Sequence, residues 1–574
     1  MNGQNTSNKW FVFFAGVIIL SFLLYFISVS NRFKATPDSS AYLGLGQSLA
    51  QGQGYQFNGS PARYFPPLLP VILAGVIKLS PVASGEQFPI ASMKLVQVFL
   101  AILLAIGSWR LALRYLSSKC ALLTGLLVLA NVTVFQHCML ILSDVLYASV
   151  SVWALVLLDG RRNLKYLLGG ILLAVSAWLS RSVGLLLGPA VFLWLLFGRR
   201  EDLNDRKRLV MVLSIFLVCA VPFVLWKFYY SINESDYLEY WRTVTGETTL
   251  IGIVIHRLTE MVPIVLTRSV QILLNIETMN LPLYFVVIVF IPVLAGWCRM
   301  LRKYRDLPGW YALLYMCVMC IWFDQGTRFY LPVLPLLLIY GMAGLGWLGE
   351  VMDRVTWTGL LGRILAGLTL GVLAWPLIGY WWDNHRLPAM ISFLRNGYIY
   401  CLPAGAIGLV CLLNCAIVRL KLHPYRIAPA CLLMIYVAIG WIYGIGFALL
   451  EHGVVTSRGP MLAGYVPYYQ MGRWLGEQDE LHEPILCANP SIVHLGGGKL
   501  TRPIGYYEAE ILKQSGQERS VCLAILEQSG IPSETEDPDN CRLREIVNRG
   551  SESFEEFKSG GDDPYYHLYI YRGH

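Results

Sequence analysis

The sequence predicts an α-helical polytopic membrane protein of about thirteen transmembrane helices, followed by a small C-terminal α/β domain on the extracytoplasmic side. Three observations predict it. Hydrophobic residues make up 56% of the 574 positions and charged residues only 14%, far from the balance of a soluble protein. Apolar runs of membrane length recur through residues 1–450. The lysines and arginines between those runs collect in alternate loops, which is how cytoplasmic loops are marked.

The first run, residues 10–30 (WFVFFAGVIILSFLLYFISVS), is long enough for roughly 30 Å of hydrocarbon at about 1.5 Å per residue. It exceeds the core of a signal peptide and no A-x-A site follows, so it reads as an uncleaved anchor. Further runs lie at about 91–109, 120–136, 144–159, 166–180, 182–198, 209–230, 281–297, 310–323, 329–350, 364–382, 399–418 and 428–450. Every second connection is basic: Arg110, Arg114 and Lys119; Arg161, Arg162 and Lys165; Arg199 to Arg208; Arg299, Arg302, Lys303 and Arg305; Arg354 and Arg363; Arg419, Lys421 and Arg426. This alternation puts the N-terminus on the cytoplasmic side of a plasma (inner) membrane. The first long loop (about 31–90), the 231–280 loop and the soluble part at 451–574 fall outside.

The same clustering accounts for the net charge of +8, so no nucleic-acid partner is implied. The 13 cysteines do not form a disulfide framework, because most lie in or beside apolar runs and act as small hydrophobes. Cys317-x-x-Cys320 is read as packing.

The outer loop 31–90 is polar and glycine-rich. Ala41, Leu45 and Leu49, with Tyr42 and Gly46, give an apolar stripe at helical spacing, which predicts a helix lying flat on the membrane. Asp38 then stands at its N-terminus, where a carboxylate is favoured. Leu68 to Leu79 is too short to span and predicts a second surface or re-entrant helix. The 231–280 loop carries Glu234, Asp236, Tyr237, Glu239, Tyr240 and Trp241, which suits a lid or a plain connector.

After residue 451 the sequence predicts a helix at 468–475, a short buried strand at 484–488, another element at 492–495 and an alternating strand at 565–571. The run Gly496-Gly497-Gly498-Lys499 is followed by Leu500 where a phosphate loop needs Ser or Thr, so it is read as a turn. Cys487, Cys522 and Cys541 face an oxidising side and allow one disulfide.

Charges near hydrocarbon are costly and need a reason. Asp38 and Asp144 both sit at outer edges of apolar runs; paired carboxylates facing one cleft can act as general base and as ligand of a metal or substrate. For Asp144 the alternative is helix capping, with Ser143 as competitor. Arg63, Arg181 and Arg328 lie on the same predicted side, where guanidinium forks hold phosphate oxygens bidentately; the alternative is snorkelling to headgroups. Asp324 is a candidate partner of Arg328.

Several of these features occur in a familiar order: an acid after the first span, Tyr42…Leu49…Gly52-Gln53-Gly54-Tyr55, Arg63 before Pro66-Pro67-Leu68-Leu69-Pro70, Asp144, the Ser180-Arg181 step, and Arg328-Phe329-Tyr330-Leu331-Pro332. Together they resemble the GT-C superfamily of glycosyltransferases through about residues 1–350. The similarity is to bacterial polyprenyl-phosphate-sugar-dependent enzymes of the protein O-mannosyltransferase and lipid A aminoarabinose transferase type. The resemblance implies an inverting transferase that moves a sugar from a polyprenyl-phosphate donor to an extracytoplasmic lipid, glycan or protein acceptor. It implies Asp38 and Asp144 as catalytic residues, and Arg63, Arg181 and Arg328, with Tyr42 and Tyr55, as substrate-binding residues. Many relatives carry Asp-Glu in the first loop, whereas Ser39 follows Asp38 here. That departure leaves acceptor type open, and with it the use of a divalent cation at Asp38 or Asp144. A ligase or polymerase of lipid-linked glycans shares this geometry. A transporter or flippase instead calls for inverted repeats and ionisable groups at mid-span, which the sequence lacks.

Overall fold

The computed structural model describes residues 16, 18–33, 36–61, 65–80, 88–158, 164–197, 250–275, 281, 283–322 and 326–353, isolated positions between 436 and 445, and residues 466–478, 485–487, 490–498, 501–502, 521–527, 554–560 and 565–571. The apolar runs at 209–230, 364–382 and 399–418 lie outside these residues, as do Arg63, Asp324, Lys499 and Cys541. The chain divides into two compact units: Met1–Ser30 with Lys94–Ser457, and Asn31–Met93 with Arg458–His574. The first outer loop therefore shares a unit with the C-terminal part of the chain.

The first unit is helical. Its helices run Ile18–Ile27, Ile90–Ala112 from Lys94 onward, Ser118–Leu129, Val132–Met139, Ser143–Leu158, Leu164–Ser180, Leu187–Phe197, Leu250–Leu274, Leu283–Tyr304, Leu307–Ile321 and Leu334–Asp353. Among the described residues, Ile90–Ala112 and Leu283–Tyr304 are long and apolar enough to cross a membrane, and the pair Ser118–Leu129 and Val132–Met139 makes a third if counted as one span. That pair corrects the sequence expectation of an unbroken helix at 120–136, for it bends by 44°. Asn131 causes the break, its side chain accepting from the amides of Thr133 and Val134. In an apolar surrounding every freed backbone group needs a partner, and Asn275 supplies one: its Oδ1 accepts from Val132 N at 2.6 Å. Asn131 Nδ2 in turn donates to Ile272 O at 3.0 Å and to Tyr436 Oη at 2.7 Å.

A second correction concerns the 231–280 loop, whose later half is the 25-residue helix Leu250–Leu274. Arg257, Glu260 and Arg268 interrupt its apolar run, which hid the period from a search for spans. The acidic and aromatic residues assigned to a lid, 234–241, lie outside the described residues.

The second unit joins the outer loop to a mixed sheet. The sheet runs in the order Thr501–Arg502, Ile485–Cys487, Val521–Glu527, Tyr565–Tyr571, Phe554–Gly560. Its first three strands are parallel and its last two pairings antiparallel. Helices Val466–Gly476 and Pro490–Gly497 pack together over a core that includes Tyr468, Met471, Leu475, Ile485 and Ile492. The Gly496-Gly497-Gly498 run is the end of the second helix. Gly498 takes the left-handed conformation (φ 73°) and its amide donates to His494 O at 2.7 Å, as helix C-termini commonly do. Cys487 is a buried free thiol, so it contributes no disulfide; burial pushes its pKa up.

Candidate active site

Asp38 occupies the first turn of the helix Pro37–Ala50. Thr36 is the N-cap, and the cap is reciprocal: Ser39 N donates to Thr36 Oγ1 at 3.1 Å, while Thr36 N donates to Ser39 Oγ at 2.8 Å. Ser39, the departure from the Asp-Glu pattern, thus fills the place a glutamate takes in a capping box. Asp38 itself is half-buried.

The apolar stripe of this helix packs against protein. Ser39 to Gly46 and Ser48 are all buried, because Leu68–Leu79 covers one side and Pro490–Gly497 another. A two-residue ribbon, Gln56–Phe57 with Ser60–Pro61, follows, closed by Asn58 and Gly59 at φ 52° and 70°, the left-handed pair that tight hairpins require.

Tyr42 and Tyr55 converge on one residue. Tyr42 meets the Phe65 ring edge-on at 5.1 Å, and Tyr55 Oη donates to Phe65 O at 2.6 Å. Both tyrosines therefore anchor the start of the Pro66-Pro67 step. Leu68–Leu79 is the short helix that the sequence predicts.

The other charged residues meet in the first unit. The chain turns at Arg181, which is extended (φ −153°, ψ 141°) between the helix ending at Ser180 and the 3-10 turn Ser182–Leu186. That turn aims its guanidinium at Asp144 in the first turn of Ser143–Leu158, with Nη1 to Oδ1 at 2.5 Å. Asp144 is 2% exposed and Arg181 18%. The Arg181 guanidinium also lies over the Phe329 ring at 5.0 Å, and Arg328 over the same ring at 4.9 Å. Two cations thus share one aromatic surface, a favourable arrangement for each.

Phe329 is held from behind. Tyr315 Oη donates to Phe329 O at 2.5 Å, Tyr315 packs on Tyr311 at 5.7 Å, and the hydroxyls of Tyr311 and Tyr147 are 2.9 Å apart. Tyr147 lies three residues after Asp144, on the same helix face. The Ser143–Leu158 helix therefore fixes Arg181 directly and, through three buried tyrosines, the ring on which both arginines rest.

Sequence reasoning missed Lys94. It is fully buried, and its Nζ donates to Ser30 Oγ at 3.1 Å. One turn further on, Gln97 Nε2 donates to Leu142 O at 3.1 Å, two residues before Asp144. A lone lysine at the start of an apolar run marks a span boundary in the sequence; its full burial makes it a candidate site residue.

Among the described residues, no group of three or more His, Cys, Asp and Glu side chains gathers as a metal site. Asp144 carries a guanidinium on Oδ1, and its buried Oδ2 has no hydrogen-bond partner among the described residues. The structure brings Asp144, Arg181 and Arg328 together; Asp38, Tyr42 and Tyr55 belong to the other unit.

Residues 65–226 match the family of dolichyl-phosphate-mannose-protein mannosyltransferases. Two crystal structures of ArnT from Cupriavidus metallidurans share the fold. The apo structure superposes with a TM-score of 0.55 and the structure bound to undecaprenyl phosphate with 0.57, each at 15% identity over 98% of both chains. No curated protein sequence matches the chain. The chain therefore has the fold of these ArnT structures.

Proposed function

We propose that this chain is an inverting membrane glycosyltransferase that takes a sugar from a polyprenyl-phosphate carrier at the outer leaflet and passes it to an extracytoplasmic acceptor. The observation that carries the proposal is the pair of arginines on Phe329, in a fold shared with a protein whose structure contains undecaprenyl phosphate. A phosphate that gains charge as it leaves needs fixed cations, and groups already oriented before the reaction are the effective ones. Arg181 and Arg328 meet that need, with Arg63 and the buried Lys94 as further candidates.

In the reaction, the acceptor hydroxyl attacks the anomeric carbon opposite the carrier. The bond from that carbon to the phosphate oxygen breaks, and the electron pair leaves on the polyprenyl phosphate. Asp38, half-buried at a helix N-terminus, takes the proton from the hydroxyl. Asp144 already shares its charge with Arg181, so we assign it to orienting that arginine rather than to proton transfer. Tyr42 and Tyr55 shape the substrate-facing loop through Phe65. Alternation of basic loops supports an orientation with the N-terminus cytoplasmic and the C-terminal part, 451–574, outside.

The test is a strain lacking the gene, rescued by the wild type or by Asp38→Asn at matched protein levels, with envelope glycans and lipids profiled by mass spectrometry. Wild type should restore the missing product, and Asp38→Asn should fall short by about 100-fold or more, the range of general-base catalysis. Full rescue by Asp38→Asn would overturn the assignment.

A further inference from the structure

The helix that bears Asp38 has 14 residues, a length that is marginal in isolation, and the C-terminal segment supplies its support at two points. Phe33, just before the N-cap, packs against the core of Tyr468, Met471, Leu475 and Ile492 and meets the Tyr469 ring edge-on at 6.1 Å. The second point is tighter. Phe57 of the small ribbon lies so close to the helix that a Cβ added at Gly44 would fall 2.1 Å from its Cε2. The same ring meets His494 edge-on, with centroids 5.0 Å apart and planes at 79°. His494 stands on the Pro490–Gly497 helix, which packs along the Asp38 helix.

We propose that Phe57 and His494 form a clamp through which the C-terminal segment positions Asp38. Both act through the helix and touch no substrate. The inference rests on the reading of Asp38 as the base. Its physical basis is that a small displacement of a catalytic group lowers rate steeply, about 100-fold for roughly 1 Å, while ring contacts from a distant part of the chain hold the side of the Asp38 helix that Leu68–Leu79 leaves uncovered. An edge-on aromatic contact is directional, so it fixes orientation as well as proximity.

The experiment uses the full chain in lipid nanodiscs and follows amide hydrogen exchange together with rescue of the deletion strain. His494→Ala should speed exchange across residues 37–50 and 56–61 by about tenfold, the effect expected when a local packing unit is loosened. Exchange across 143–180 should stay at the wild-type rate, and rescue should fall toward the level of Asp38→Asn. Phe57→Leu, which removes the ring from the other side of the contact, should give the same pattern. His494→Phe keeps the ring and should restore both readouts, whereas a general loss of stability in His494→Ala would speed exchange in the strands 521–527 and 565–571 as well. Unchanged exchange in His494→Ala, full rescue despite faster exchange, or failure of His494→Phe would each overturn the clamp. If exchange rises as expected while Asp38→Asn rescues fully, the transferase reading falls and the clamp survives as a support for the helix.

Discussion

Asp144 and Asp38, one in each unit, have different surroundings. Asp144 is buried, faces a guanidinium at 2.5 Å, and sits on a helix that is linked to Phe329 through three buried tyrosines. Asp38 is half-exposed in the first turn of a capped helix. A buried charge held by a partner is costly to disturb and poorly placed to exchange protons; an accessible carboxylate in the field of a helix N-terminus can meet a substrate. Two acids alike in the sequence thus separate, once their partners are known, into one ion-paired inside a helical core and one accessible at a helix end.

The largest expected effect that would break this comparison comes from Arg181→Ala. It leaves Asp144 buried without its ion-pair partner, a change that typically costs about 3–5 kcal/mol. The double variant Asp144→Asn/Arg181→Gln should cost less, since no lone charge remains. Apparent melting temperatures of the full chain in detergent check the order: Arg181→Ala lowest, the double variant between it and wild type. A melting point for Arg181→Ala equal to that of Asp38→Asn would show that Asp144 is not committed to its arginine.

A smaller effect sharpens the comparison from the other unit. Gly44→Ala must push Phe57 away, because the new Cβ would lie 2.1 Å from Cε2 and 2.3 Å from Cδ2. Overpacking of this kind costs about 1–3 kcal/mol. Phe57 is only partly buried and can rotate, so the protein should fold, with the loss confined to rescue activity and to faster exchange at 37–50. Wild-type activity in Gly44→Ala would show that the helix tolerates the shift.

Much of the local structure was legible in the sequence. The strand Tyr565–Tyr571 coincides with its alternating pattern, the short helix Leu68–Leu79 with its proline-bounded run, and the break at Arg181 with the Ser180-Arg181 step. The Asn58-Gly59 hairpin signal was present and went unread. What local pattern cannot carry is partnership. The Asp144–Arg181 pair is separated by 37 residues, and nothing at either position names the other. What the stripe on the Asp38 helix packs against was hidden for the same reason: one of its two covering helices, Pro490–Gly497, comes from the far end of the chain. Lys94 and the helix Leu250–Leu274 were missed because isolated charges in an apolar run resemble boundaries until burial or continuous backbone hydrogen bonding shows otherwise.

The smallest effect tests what happens to a buried acid without a close guanidinium. Asp306 caps the helix Leu307–Ile321, its Oδ1 accepting from Gly309 N at 3.3 Å, and it is 4% exposed. Burial raises its pKa above 3.8, and the Tyr115 hydroxyl, the Gly309 and Asp306 amides and the Arg114 charge only partly offset that. A carboxyl whose native pKa is raised binds its proton more tightly when folded. Stability from this group therefore grows as pH falls through the native pKa, is fully present below the unfolded value, and is lost as pH rises. Asn keeps a good cap and has no charge to bury. Asp306→Asn should leave the protein at least as stable as wild type at pH 7, with a gain of about 1 kcal/mol or less, and the difference should shrink as the buffer is taken toward pH 4. Apparent melting temperatures of both proteins across that range check it. A variant that is less stable at pH 7 would mean that the Asp306 charge is used, as Asp144's is, to hold a cation in place.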